Sequence, residues 1–302
     1  CMFCTDDKHP SDLLEKGHID YIIKKAISMG ADPILAIKVA STNAARYFRL
    51  NNRGAIALGY LADFVIINNF EEFTVEQVYK KGKLMFSGGK FKDFKAPPVD
   101  EFLTERAHST FKVDRLTPEA FKIDRPRGVL GMVSGELMTT DEGYATGVDI
   151  DKDILKIAVV ERHNYTGHIG IGYIKGYGLK SGAVATSISH DSHNIIVVGT
   201  NDGDMAAAVN HIAENGGGIT VFDGGKCIGD VKLEIAGIMS EAPLVDVNKN
   251  LEDAKVKAFE LGVSKLIDPF MTLSFMSLPV IPKLRLTTRG VFDVESQNYV
   301  YV

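Results

Sequence analysis

Cysteine is scarce. Three occur in 302 residues, Cys1, Cys4 and Cys227. They form no even framework, which excludes a disulfide scaffold and suits a reducing cytoplasm. No apolar run reaches the ~18 residues of a membrane span, and the opening stretch does not read as a secretory leader. Excess charge of one sign is also missing. Lys plus Arg number 34 against 39 Asp plus Glu, a net charge of -5 without a basic patch. Nucleic acid and membrane are therefore not expected partners. Internal repeats and low-complexity segments are absent too. What remains is a globular composition, 45% hydrophobic and 24% charged, with room for about two domains. The chain opens at Cys1 inside the apolar stretch CMFC, which reads as part of a longer protein.

Periodicity and punctuation divide the chain. CMFCT (1–5) has the composition of a buried strand and is followed by the polar loop DDKHPSD. Asp12 with Glu15 three residues on predicts a capping box opening a helix. Leu13, Ile19, Ile22, Ile23, Ala26 and Ile27 follow at helical spacing until Gly30. Asp32 and Pro33 predict a second helix start, as N-cap and first helical residue, running to about Phe48. Residues 54–95 are β-branched, aromatic and glycine-punctuated, predicting short strands with turns at Gly82 and at Gly88-Gly89. FKDFKAPPVDEF, with Pro97-Pro98, predicts a linker. Beyond it ATGVDI, ILKIAVVE, GAVATSIS and NIIVVG read as strands. DGDMAAAVNHIAEN and VNKNLEDAKVKAFELG read as helices, and GITVFDGGKCIGDVKLEIAG as a hairpin turning at Asp223-Gly224.

Several stretches carry chemistry-bearing side chains. CTDDKHP places Asp6, Asp7 and His9 just after the apolar run, where a carboxylate can bind metal and take a proton from water, or brace the next helix. Cys1-x-x-Cys4 lacks the second pair that a zinc site needs. No His is followed two residues later by Glu, so the zinc-deaminase signature is absent. ERHNYTGHIGIGYIKGYGLKSG (161–182) misses the spacing of dinucleotide and phosphate loops. It reads as a glycine-rich loop or irregular hairpin, with Glu161, Arg162, His163 and His168 as polar groups able to reach a site. SHDSHN holds His190, Asp191 and His193 between two apolar strands. It reads either as a polar turn or as a functional loop, possible metal ligation by the two histidines included.

Two stretches resemble a known family. STNAARYFRLNNRGAIALGYLADFVIINN has the pattern N-x-A followed by G-x-I-x-x-G-x-x-A-D. Asn43, Ala45, Gly54, Ile56, Gly59, Ala62 and Asp63 carry it. It is similar to the end of amidohydrolase-superfamily enzymes. CTDDKHPSDLLEKGHID, ERHNYTGHIGIGYIKGYGL, SHDSHNIIVVGTNDGDM and DPFMTLSFMSLPVIP resemble bacterial adenine deaminases more narrowly, so the resemblance spans essentially the whole chain.

The resemblance implies α/β plus α+β architecture in three parts. Residues 1–50 would be the last strand and helices of a truncated (β/α)8 metal-dependent hydrolase barrel, 51–98 a small β-domain, and 99–302 an α+β C-terminal domain. It implies hydrolysis of adenine to hypoxanthine and ammonia, in purine salvage, at a binuclear iron or manganese centre, with zinc as a variant. Asp6, or alternatively Asp7, would be both metal ligand and proton-transfer group. His9, Glu161, His163, His190, Asp191 and His193 would be substrate-side or ligand-supporting groups, with SHDSHN a turn reaching the barrel mouth. The partners implied are adenine, a missing N-terminal barrel segment and a second copy in a homodimer. The fragment alone is expected to be inactive. The alternatives are another amidohydrolase acting on a cyclic amide or nucleobase, and a non-catalytic assembly module.

Overall fold

The computed structural model describes residues 1–301. The chain forms two compact units that divide between Pro98 and Val99, inside the proline-containing linker, whose residues 92–100 carry no regular structure. In the first unit, helices α1 (Pro10–Glu15), α2 (Ile19–Ser28), α3 (Pro33–Ala40) and α4 (Thr42–Tyr47) precede a four-stranded antiparallel sheet. Its strands, in order, are β1 (Phe64–Ile67), β2 (Val75–Lys80), β3 (Lys83–Ser87) and β4 (Lys90–Phe91). Gly82 and Gly88-Gly89 lie at the turns with positive φ, as their spacing predicts. Asp32 caps α3, accepting the Leu35 N–H at 2.8 Å.

Three expectations for this unit are corrected. Residues 1–5 are not a strand, because a strand needs a neighbouring strand for its N–H and C=O groups and no described strand pairs with them. The capping box does not form. α1 begins at Pro10 after His9, and Asp12 instead takes the Lys16 ammonium at 2.7 Å one turn on. Each long predicted helix is two short ones, broken at Gly17 (φ +93°) and at Ser41.

The second unit is built on an eight-stranded sheet. Its chain order is α5 (Glu101–His108), a 3-10 turn (Pro118–Phe121), β5 (Arg127–Met132), β6 (Thr139–Ala145), β7 (Ile154–Val160), β8 (Ile169–Lys175), β9 (Ala183–Thr186) and β10 (Ile195–Gly199). There follow α6 (Asp202–Glu214), β11 (Gly218–Asp223), β12 (Lys226–Lys232), α7 (Leu244–Glu260) and α8 (Pro269–Phe275). A three-stranded sheet of β13 (Leu284–Thr287), β14 (Gly290–Asp293) and β15 (Asn298–Tyr299) closes the unit. The large sheet runs β12-β11-β9-β10-β7-β8-β5-β6, antiparallel except where β5 meets β8.

Helices cover both faces, so the central strands are apolar on each side. Leu155, Ile157, Val159, Ile196 and Val198 pack with residues of α7 and α8. Ala158, Val160, Ile195 and Val197, one residue out of phase, pack with Met205, Val209 and Ile212 of α6. Each fully buried Ile or Val contributes roughly 1.5–3 kcal/mol, which makes this sheet the stable frame for the loops at its ends.

The glycine-rich stretch is corrected as well. Its middle, Ile169–Lys175, is strand β8, fully paired with β7. Gly170 and Gly172 are there for close packing. A Cβ on Gly170 would lie 1.8 Å from the Thr287 carbonyl oxygen and 2.8 Å from the Gly290 nitrogen, and one on Gly172 would lie 2.9 Å from Val291. The β13–β14 hairpin therefore sits directly on the β8 backbone. ATGVDI is also not a strand of its own: β6 ends at Ala145, and only Asp149 bridges back, to Ile154.

Candidate functional site

In the first unit, Asp6 is exposed with φ +55°, and its Oδ1 accepts the Asp7 N–H at 2.9 Å. Thr5 Oγ1 lies 3.3 Å from His18 Nε2, and Lys8 donates to the Gly17 carbonyl at 3.3 Å, so both ends of the loop are held to the α1–α2 turn. His9 precedes α1 and makes no side-chain cap. Among the described residues, no two further His, Cys, Asp or Glu ligand atoms converge with Asp6. One carboxylate does not hold a pair of divalent ions, so the residues present do not fit the implied binuclear centre by themselves.

Asn43, Ala45, Gly54 and Asp63 of the patterned residues in this unit make structural contacts. Asp63 Oδ2 takes both Arg53 and Lys80 at 2.6 Å, and its Oδ1 takes the Lys81 N–H at 2.8 Å. The Lys80 ammonium, ahead of the Lys81 N–H, holds this carboxyl below its usual range. Asn43 donates to the Cys1 carbonyl at 3.0 Å. Gly54, at φ +85°, has no room for a Cβ, which would lie 2.6 Å from that of Ala45.

In the second unit, Ser187–Asn194 connects β9 to β10, two strands buried along their whole length. The segment is a pinned loop. The buried Ser187 hydroxyl donates to the Gly237 carbonyl at 2.6 Å and accepts the Gly218 N–H at 2.8 Å. Ser189 and Ser277 hydroxyls meet at 2.5 Å, and Ser277 also donates to the His190 carbonyl at 3.1 Å. The His190 N–H reaches the Ser274 carbonyl, and its ring stacks on Phe275 at 4.6 Å. His190 Nδ1 lies 3.6 Å from Asp191 Oδ1, and the His190 and His193 rings are 5.9 Å apart. His193 Nδ1 is buried without a hydrogen-bond partner. Burial, then the neighbouring His190 and Arg162, lowers the pKa of His193.

Arg162 and its neighbours brace this loop from the β7–β8 connection. The Arg162 guanidinium, 2% exposed, donates to the carbonyls of His193 (2.5 Å) and Ala236 (2.9 Å) and to Thr110 Oγ1 (3.2 Å). Its face covers Phe111 at 4.2 Å. Burial pulls its pKa down to about 10, so it stays charged at neutral pH. His163 Nε2 donates to the Ser192 carbonyl at 2.8 Å. Glu161 turns its carboxylate onto its own loop, taking the His163 N–H at 2.6 Å, the Asn164 N–H at 3.1 Å and the Thr166 hydroxyl at 2.9 Å. Burial opposes its ionisation, but these donors outweigh it and hold the pKa below the ordinary value.

The structure thus brings Glu161, His163, His190, Asp191 and His193 around one loop. Beside it opens a cavity of about 390 Å³ lined by His190, Asp191, Asn194, Ser277 and the apolar Leu278 and Val280. Apolar surface with a few convergent polar groups is the usual lining of a small-ligand site. Arg162, grouped in sequence with the reaching side chains, is instead the most buried of the set. Sequence reasoning missed the grouping of His211, Cys227 and Asp230 on α6 and β12, whose ligand atoms lie within 4.8 Å of one another. Cys227, far from any sequence motif, gave no signal of it.

Comparison with known proteins follows the same division. The amidohydrolase family model matches residues 1–85, and that of the adenine deaminase C-terminal domain matches residues 134–298. A protein named adenine deaminase 2 from Carboxydothermus hydrogenoformans is 43% identical over 313 residues, covering 100% of this chain and 54% of its own length. An adenine deaminase from Petrotoga mobilis is 43% identical over 317 residues, with 100% and 54% covered. One from Bacillus licheniformis is 40% identical over 307 residues, with 100% and 53% covered. The chain spans about half the length of the curated relatives it matches.

Proposed function

The chain belongs to the adenine deaminase C-terminal domain family, and from that membership we propose that it serves as the C-terminal portion of an enzyme that hydrolyses adenine to hypoxanthine and ammonia. The observation that carries this reading is the alignment of the entire chain with proteins named adenine deaminase at 40–43% identity. Residues 1–50 are read as the closing part of a (β/α)8 barrel. Two things support that: the amidohydrolase match over 1–85, and the exposed apolar side chains of this unit. Within residues 1–50, Met29 is 78%, Tyr47 69% and Phe48 65% exposed, and a folded enzyme ordinarily covers such a set.

In the reaction, water adds at the amine-bearing carbon of the ring, the carbon–nitrogen bond breaks, and ammonia leaves. We assign Asp6 the proton transfer, from the attacking water to the departing amine; an exposed carboxylate on a loop held at both ends can do this. A divalent iron, manganese or zinc centre would need ligands from the half of the relatives' length that this chain does not carry. Asp191 and His190, on the cavity wall, are read as substrate-side groups. His193, His163, Glu161 and His9 are read as groups that position them or the Asp6 loop. A homo-oligomer in a reducing cytoplasm remains our reading for the full-length protein.

The test uses both lengths. The 302-residue chain should release no ammonia from adenine. In the full-length protein Asp6→Asn should lower kcat by about 10²-fold or more without changing the unfolding midpoint. His190→Ala should lower turnover while bound metal stays the same. Ammonia release by the short chain, or full activity in Asp6→Asn, would overturn the assignment.

A further inference from the structure

β12 contains a register shift that places side chains from two elements together. Phe222 faces Cys227, but the next pair is Val221 with Gly229, so Ile228 is an extra residue. Without the bulge, Cys227 and Asp230 would point to opposite faces, being three residues apart on a strand. With it, Cys227 shares a face with Phe222, and Asp230 with Thr220. α6 packs on that face, and the His211 ring meets Phe222 edge-on at 5.5 Å. His211 Nε2 consequently lies 3.1 Å from Asp230 Oδ1, 3.7 Å from Cys227 Sγ and 3.0 Å from the Asn215 side-chain amide. An imidazole nitrogen makes one in-plane hydrogen bond. Three polar groups around it are more than hydrogen bonding uses.

We propose that His211, Cys227 and Asp230 form a zinc site, with the Asn215 amide oxygen or a water as the fourth ligand. The donor set of one imidazole nitrogen, one thiolate sulfur and one carboxylate oxygen is the set zinc takes. With Zn–N of about 2.0–2.1 Å and Zn–S of about 2.3 Å, a tetrahedral site spaces its ligand atoms about 3.2–3.6 Å apart. The 3.1 and 3.7 Å separations match that within a few tenths of an ångström. Turning the Asn215 amide by half a rotation presents its oxygen to the same point. His211 and Asp230 side chains are 28% and 29% exposed, so an ion enters from solvent. β12 is the edge strand of the large sheet, and the ion would clamp that edge to α6.

The experiment uses metal alone on the 302-residue chain, with Cys1→Ser and Cys4→Ser introduced to remove the other thiols. Zinc should bind with one equivalent per chain and raise Tm. Cobalt(II) in its place should give a thiolate-to-cobalt charge-transfer band. Cys227→Ser should abolish the band, and Cys227→Ser, His211→Ala and the isosteric Asp230→Asn should each weaken zinc binding by about tenfold or more. Circular dichroism of the metal-free variants should match the parent. No charge-transfer band in the parent, or an unchanged band and affinity in Cys227→Ser, overturns the proposal. If Cys227→Ser does not fold, unchanged zinc affinity in Asp230→Asn does so.

Discussion

Replacing Arg162 by Met tests whether the SHDSHN loop is held from beneath by one cation. The substitution keeps most of the apolar stem and removes three donations, to the His193 and Ala236 carbonyls and to Thr110 Oγ1. Hydrogen bonds from a charged group contribute about 1.5–3 kcal/mol each, a gross loss of about 4.5–9 kcal/mol. Against this stands relief from burying a cation, several kcal/mol, the same burial that lowers the pKa of Arg162 to about 10. The net expectation is a destabilisation of about 3 kcal/mol. Space forbids easy rearrangement: a Cβ on Gly237 would sit 2.8 Å from Arg162 Nη2 and from Phe111. The chain has no tryptophan, so urea unfolding is followed by far-ultraviolet circular dichroism. Hydrogen exchange across 187–194 supplies the local readout. Thr110→Val, alone and combined with Arg162→Met, isolates the 3.2 Å bond, with a coupling of about 1 kcal/mol. A loss below about 1 kcal/mol in Arg162→Met, or no coupling to Thr110, would refute the reasoning.

Gly170→Ala should cost about 3 kcal/mol or more in urea unfolding, because its Cβ would meet the backbone of Thr287 and Gly290. Gly147→Ala, with nothing within 4 Å of the new atom, should stay within about 0.5 kcal/mol of wild type. The His193 pKa is lower folded than unfolded, so the unfolded chain binds the extra proton first as pH falls. Its contribution is intact above the unfolded value and is lost as pH drops through the folded one. Urea midpoints from about pH 7 to about pH 5 should therefore fall less steeply in His193→Gln than in wild type. Parallel curves would remove His193 from that role.

Local rules written in a few adjacent residues were legible. Asp32-Pro33 starts α3, and the β11–β12 hairpin turns at Gly224-Gly225, both at positive φ, one residue later than the expected Asp223-Gly224. The helix DGDMAAAVNHIAEN is capped by Asn201 at its start and ended by the glycine run. The quoted family motifs marked the family that the C-terminal match bears out. The misses share a cause, since each depends on a partner distant in sequence. CMFCT has an apolar strand's composition but no described strand to pair with. Gly170 and Gly172 looked like loop glycines until the β13–β14 hairpin, more than a hundred residues on, was seen against them.

The candidate sites divide in the same way. Sequence by itself determined that His190, Asp191 and His193 share one short loop between two apolar strands, because neighbours along a turn are neighbours in space. Only the tertiary structure decided that Arg162 lies under that loop as its anchor, and that one extra residue in β12 turns Cys227 and Asp230 to the same face as His211. Side-chain direction across paired strands and packed helices follows from register and burial, which the order of residues along a single segment does not contain.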